Sequence, residues 1–237
     1  QRQMCIRDRI NGILGILNER YLNLSQMIPD EKTLNRLKVT PAMYLGSCRH
    51  KLPDYKDDDS AYVFIFNQFA KLNIKAFFYI GGNDSMDTVL KLSDYAAKIK
   101  SDIRIIGVPK TIDNDLWGTD MTFGFQSAVD IASNVIDYIH STASSHSRVF
   151  VVELMGRDAG WLTLNAGIAS GADIVLIPEI PYDIEKVASA IEYRRKHGRN
   201  FSIIAVAEGA VSSTDAVLSE EERRRIKESS KHSTISY

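Results

Sequence analysis

Five short runs of almost continuous apolar residues constrain this chain more than any other feature: Ala76–Ile80, Ile103–Val108, Val149–Leu154, Asp173–Ile177 and Phe201–Ala207. Each is rich in β-branched and aromatic residues and is bounded by Gly, Pro or Asp, which marks strands rather than helices. Between them lie stretches of a different period. From Thr122 to His140, Phe125, Ala128, Val129, Ala132, Val135, Ile136 and Ile139 recur at spacings of three and four, the pattern of a helix with one buried stripe. Ala61–Lys71, Ser85–Lys100 and Ile184–Lys196 repeat it. Strands alternating with helices predict an α/β fold of mostly parallel sheets flanked by helices. Runs apolar at every position predict strands covered on both faces.

At 237 residues the chain has room for one large or two modest domains. Its 29 Lys+Arg nearly cancel its 30 Asp+Glu, so no global field attracts nucleic acid or an anionic membrane surface. No apolar run approaches the ~18 residues that span a bilayer. Cys5 and Cys48 form neither a disulfide framework nor a metal-ligand spacing, which fits a reducing compartment and points to the cytoplasm. Residues 1–9, polar and arginine-rich, read as a non-native or fragment edge, and residues 219–237 as a charged, truncated tail.

In open parallel sheets ligands bind beyond the carboxyl ends of the strands. Those junctions read Gly81-Gly82-Asn83-Asp84-Ser85, then Pro109-Lys110-Thr111-Ile112-Asp113-Asn114-Asp115, Met155-Gly156-Arg157, Pro178-Glu179 and Glu208-Gly209. Glycines between a strand and a helix leave helix N-terminal amides facing an anion, so Gly81-Gly82 suggests a phosphate site, although Asn83, Asp84 and Ser85 are equally ordinary helix caps. Asp113 and Asp115 at alternate positions can divide two tasks, one accepting a proton from an alcohol and one holding Mg²⁺; such strings also form plain Asx turns. Lys110 supplies a point charge for a transferring phosphoryl group. Arg157 and Arg49 each present a planar fork suited to phosphate. Glu208 can accept hydrogen bonds from sugar hydroxyls. A strand of about nine residues at ~3.3 Å each separates Arg148 from Arg157 by roughly 30 Å, so Arg148 is surface charge or serves a site in another subunit. The histidines His50, His140, His146, His197 and His232 share no metal spacing, and Trp117 and Trp161 read as packing residues.

Taken together, LGSCR, GGNDS, PKTIDND, GTDMTFGF, SSHSRVFVVELMGRDAGW and the final AEG, in this order over about Leu45–Gly209, resemble the phosphofructokinase family and in particular its pyrophosphate-dependent branch. The resemblance implies phosphoryl transfer from pyrophosphate to the 1-hydroxyl of fructose 6-phosphate with Mg²⁺, a glycolytic step, in a homo-oligomer with sites shared between subunits. It makes Asp113 the base and Lys110 its catalytic companion. Thr111, Asp115, Met155, Gly156, Arg157 and Glu208 then serve the sugar phosphate, with Arg148 reaching a neighbouring subunit's site. Arg49, Gly82, Asn83, Asp84 and Lys110 face the donor, and Asn83, Asp84 and Asp115 are the metal candidates. Residues 10–140 become a donor-side domain and 141–218 a sugar-side domain, each incomplete.

Donor choice turns on two positions. ATP-dependent members carry glycine where this chain has Asp84 and Lys110; a carboxylate in the turn repels nucleotide phosphates, and the lysine compensates compact pyrophosphate. An ATP-dependent 6-phosphofructokinase and a non-catalytic regulatory subunit are the alternatives. Asn83 departs from the family's aspartate and makes a weaker magnesium ligand. The family's N-terminal glycine-rich donor loop and its C-terminal histidine- and arginine-bearing segment have no counterpart in this sequence.

Overall fold

The computed structural model describes residues 7–41, 43–219, 221, 222 and 225. Cys5, His232, residues 1–6 of the expected edge and nearly all of the expected 219–237 tail lie outside these. The chain divides into two compact units, 1–109 and 110–237.

The first unit opens with β1 (Arg7–Arg9), α1 (Gly12–Leu17) and β2 (Tyr21–Asn23), the two strands pairing antiparallel. Arg7–Arg9, set aside above as an edge, is thus a strand: backbone pairing needs no apolar pattern to announce it. Short helices α2 (Leu24–Met27) and α3 (Glu31–Lys38) follow, with Asp30 capping α3 by accepting from the Thr33 amide at 2.7 Å. Then come α4 (Ser60–Lys71), β3 (Ala76–Gly81), α5 (Asn83–Lys98) and β4 (Arg104–Thr111). Tyr62, Ile65, Phe66 and Phe69 of α4 pack on Phe77 of β3 and on Leu92 and Tyr95 of α5, with α1's Ile13 and Ile16 in the same core. β3 and β4 are parallel, and their register sets Gly81 beside Pro109, with β4 running two residues further to Thr111.

In the second unit the last residues of β4, Lys110 and Thr111, pair with β5 (Phe123–Gly124). There follow α6 (Phe125–His146), β6 (Val149–Leu154), α7 (Trp161–Ala169), β7 (Ile174–Leu176), α8 (Ile184–Lys196) and β8 (Ser202–Ala207). The sheet order is β6-β8-β7, all parallel. Phe125, Ile136 and Ala143 of α6 close over Leu154, Leu162, Ala166, Ile203 and Ala205. A half-buried ion pair ties α8 to the sheet: Arg194 Nη2 meets Asp173 Oδ1 at 2.7 Å, its Nε donates to Ser202 Oγ at 3.1 Å, and Asp173 Oδ2 accepts from the Ile203 amide.

Each predicted strand and long helix is present, two of them with the predicted ends and the others with ends shifted by up to six residues, but cover is uneven. β8, in the centre of its sheet, is buried almost throughout, whereas the edge strands alternate: Phe78 and Ile80 of β3 and Val149 and Val151 of β6 are exposed. Within this chain helices cover only one face of those edges. Trp117 is fully exposed at the tip of a turn and Trp161 is half exposed at the start of α7, so neither is the packing residue expected.

Candidate active site

The parallel register of β6, β8 and β7 sets Leu154 beside Ala207 and Leu176 beside Val206, so the residues after all three strands emerge at one sheet edge. There the loop Met155–Gly160 is built around backbone that few residues tolerate. Gly156 has φ 146°, and a Cβ on it would stand 2.5 Å from the Ala159 carbonyl oxygen. Arg157 is itself left-handed, φ 54°, an unusual conformation for a residue with a side chain. The carboxylate of Glu208, one residue beyond β8, accepts from the Gly156 amide at 3.1 Å and the Arg157 amide at 2.6 Å. Its Oε1 is thus engaged by backbone, and the sugar-contact role expected for it falls to whatever its second oxygen can reach. Arg157's side chain is largely exposed and pairs with Asp158 at 3.2 Å.

The segment leaving β4 is fastened from within. Thr111 Oγ1 donates to Asp113 Oδ2 at 3.1 Å and accepts from the Asp113 amide at 3.2 Å. Asn114, with φ 54°, reverses the chain; its Oδ1 accepts from the Thr122 amide at 2.9 Å while Thr122 Oγ1 donates to the Thr111 carbonyl at 2.8 Å. Asn114 therefore closes no Asx turn of its own; its side chain ties the segment to Thr122, eight residues on. Burial pushes the Asp113 carboxyl above its ordinary value, the Thr111 hydroxyl counters this, the charges of Asp115 and Glu208 raise it further, and the Arg157 guanidinium draws it down. Asp113 thus lies within electrostatic reach of Asp115, Glu208 and Arg157, residues that follow β4, β8 and β6. Lys110 is half-buried on β4, and Met155 is exposed.

In the first unit α5 begins at Gly82 with no side-chain cap, so the capping role expected for Asn83, Asp84 and Ser85 is not realised there. Glycine is needed at Gly81, where a Cβ would collide with the Ser85 side chain; Gly82 has φ −88° and needs no such freedom. Asp84, on the first turn, pairs with Lys51 Nζ at 3.2 Å. Lys91 donates to the Leu52 carbonyl at 3.0 Å and pairs with Asp87 at 2.8 Å, holding the loop that carries the exposed Arg49 against α5. Lys51 had no periodic signal in sequence. Glu179, noted only as a strand-end residue, accepts from the Gly160 amide at 2.8 Å.

Among the described residues no three His, Cys, Asp or Glu side chains stand together as a metal cage. Magnesium seldom needs one: it takes one or two carboxylates and completes its shell with water and phosphate oxygens. The adjacent charges of Asp113 and Asp115, which raise the Asp113 carboxyl, suit a cation in that mode. Arg148 is exposed just before β6, at the opposite end from Arg157.

A phosphofructokinase family profile matches residues 4–236. The chain belongs to the phosphofructokinase family. It is 46% identical over 184 residues to an ATP-dependent 6-phosphofructokinase of Spirochaeta thermophila, covering 75% of this chain and 49% of that one. Over 210 residues it is 42% identical to an ATP-dependent 6-phosphofructokinase of Propionibacterium freudenreichii, covering 87% of this chain and 53% of that one. The crystal structure of a pyrophosphate-dependent phosphofructokinase from Nitrosospira multiformis superposes with a TM-score of 0.79 at 32% identity, over 89% of this chain and 53% of that one. The chain thus spans about half the length of these phosphofructokinase relatives. Among the described residues no helix is long and apolar enough to cross a membrane.

Proposed function

We propose that this chain carries the sugar-phosphate half-site and the catalytic base of a cytoplasmic, glycolytic 6-phosphofructokinase. The observation that carries the reading is Asp113: a half-buried carboxyl, oriented by Thr111 and pushed above its ordinary value, within electrostatic reach of residues that follow β4, β6 and β8. A carboxylate of raised basicity suits the removal of a proton from a primary alcohol. Asp113 takes the proton of the 1-hydroxyl of fructose 6-phosphate as that oxygen attacks the donor's terminal phosphorus; the bond from phosphorus to the leaving phosphate oxygen breaks. Arg157, presented by the Met155–Gly160 loop, binds and orients the sugar phosphate, and Lys110 stabilises the transferring group. Asp115 would hold Mg²⁺, which would neutralise phosphate charge; Asn83 and Asp84, at the start of α5, are the donor-side candidates by sequence. Arg148, at the far end of β6, serves the site of a neighbouring subunit in a homo-oligomer. A regulatory subunit without turnover is disfavoured, since binding alone needs neither a raised carboxyl nor its orienting hydroxyl.

The donor is pyrophosphate on this reading. Asp84 places a carboxylate on the first turn of α5, where it repels the phosphates of a nucleotide, and Lys110 matches a compact donor. Two observations favour ATP instead: the named relatives at 46% and 42% identity are ATP-dependent, and Lys51 offsets the charge of Asp84. The deciding experiment measures kcat/KM for both donors in the parent, Asp84→Gly, Lys110→Gly and the double variant. Pyrophosphate preference in the parent, with ATP use emerging non-additively in the double variant, supports the reading. A parent that already prefers ATP overturns the donor assignment and leaves the acceptor reading intact.

A further inference from the structure

The Met155–Gly160 loop is held at both ends by carboxylates from the two other strands of its sheet. Glu208, after β8, grips the strand-side end through the amides of Gly156 and Arg157. Glu179, after β7, grips the helix-side end through the amide of Gly160, the residue from which α7 starts. Space around the loop is as restricted as its bonding. A Cβ on Gly160 would stand 2.5 Å from Glu179 Oε2 and 2.5 Å from Ile177 Cβ, and a Cβ on Gly209 would collide with the Arg157 carbonyl oxygen. α7 has no acidic residue in its own first turn, so Glu179 also supplies the negative charge that a helix N-terminus favours.

Left-handed backbone at Arg157 costs free energy and persists only where its surroundings over-determine it. Glu208 fixes the amide of that residue. Without Glu179 the helix-side part of the loop is tied to the strand-side end only through the Ala159 amide on the Gly156 carbonyl at 3.0 Å, and the loop that presents the Arg157 guanidinium loosens. We propose that Glu179 is a positioning residue: by holding the Gly160 amide it fixes the loop that presents Arg157 to the sugar phosphate. It touches no substrate in this arrangement and takes no part in proton transfer. The inference rests on the sugar-phosphate reading of the site.

Four variants test it: Glu179→Ala, Glu179→Gln, Arg157→Ala, and Glu179→Ala combined with Arg157→Ala. Glu179→Ala should raise the KM and the calorimetric Kd for fructose 6-phosphate about tenfold, leave kcat within about threefold, and leave the acid limb of the pH profile in place. Glu179→Gln keeps an oxygen acceptor for the Gly160 amide and should restore most of the lost affinity. In an Arg157→Ala background the alanine change should cost almost nothing more, because the two act through one contact. Equal effects of Ala and Gln, additive effects with Arg157→Ala, or an unchanged Kd in Glu179→Ala would each overturn the proposal. A parent that binds no sugar phosphate would instead overturn the functional reading. Amide hydrogen exchange then judges the anchor by itself: lost protection at Gly160 in Glu179→Ala supports it, and unchanged protection refutes it.

Discussion

Asp113→Asn separates catalysis from folding at one residue. The substitution is nearly isosteric, and the amide oxygen can still accept from Thr111 Oγ1, which lies 3.1 Å from the carboxylate. What disappears is the proton acceptor, so kcat should fall ~10²–10⁴-fold while the KM for fructose 6-phosphate changes little. That loss corresponds to ~3–5 kcal/mol of transition-state stabilisation. Stability should move the other way. Burial, reinforced by Asp115 and Glu208, raises the Asp113 carboxyl in the folded protein above the value it regains on unfolding. The native state therefore holds this proton to higher pH than the unfolded chain does, and the ionised group costs folding free energy. The cost is full above the raised folded value and vanishes as pH falls to the ordinary aspartate value. Asp113→Asn should accordingly match or exceed the parent's Tm near neutral pH, with the advantage shrinking as pH falls toward ~4. Initial rates from about pH 5 to 8 and thermal unfolding from about pH 4 to 8 check both halves, and the acid limb of kcat/KM should be lost in the variant. A near-parental kcat would remove Asp113 as the base; a Tm clearly below the parent's at neutral pH would refute the burial argument.

Arg194→Ala leaves Asp173, whose side chain is only 14% exposed, without its ion partner, and should cost about 2–4 kcal/mol in urea unfolding; a cost below ~1 kcal/mol would mean the pair behaves as surface charge. Gly209→Ala should displace the Arg157 backbone, which occupies the space of the new Cβ, and raise the fructose 6-phosphate KM at least about tenfold, while Gly171→Ala, with no atom near its Cβ, should not alter KM. Mixing Arg148→Ala chains with Asp113→Asn chains should recover activity neither has alone, as native separation of the mixed oligomers and assay would show; no recovery in confirmed hybrids would confine Arg148 to the surface.

Strand and helix identities were legible because they depend on period, and period is local: Val149–Leu154 and Ile184–Lys196 appear with the very ends the pattern predicts. Motif order led to the family, and the strand-end rule led to Thr111, Asp113, Arg157 and Glu208, since a parallel sheet delivers its strand termini to one edge whatever the details. Tertiary structure decided the rest. Nothing in the sequence separates the two faces of β3 or β6, yet one is covered and the other is not, because cover depends on which helices pack there. α6 buries its stripe against α7 and β8, a choice between partners that periodicity does not make. Glu208 was read as a sugar ligand and Glu179 as a strand-end residue. Both hold the Met155–Gly160 loop through backbone amides, which side-chain types cannot reveal, because a main-chain donor is identical at every residue and only the fold brings the right one within reach.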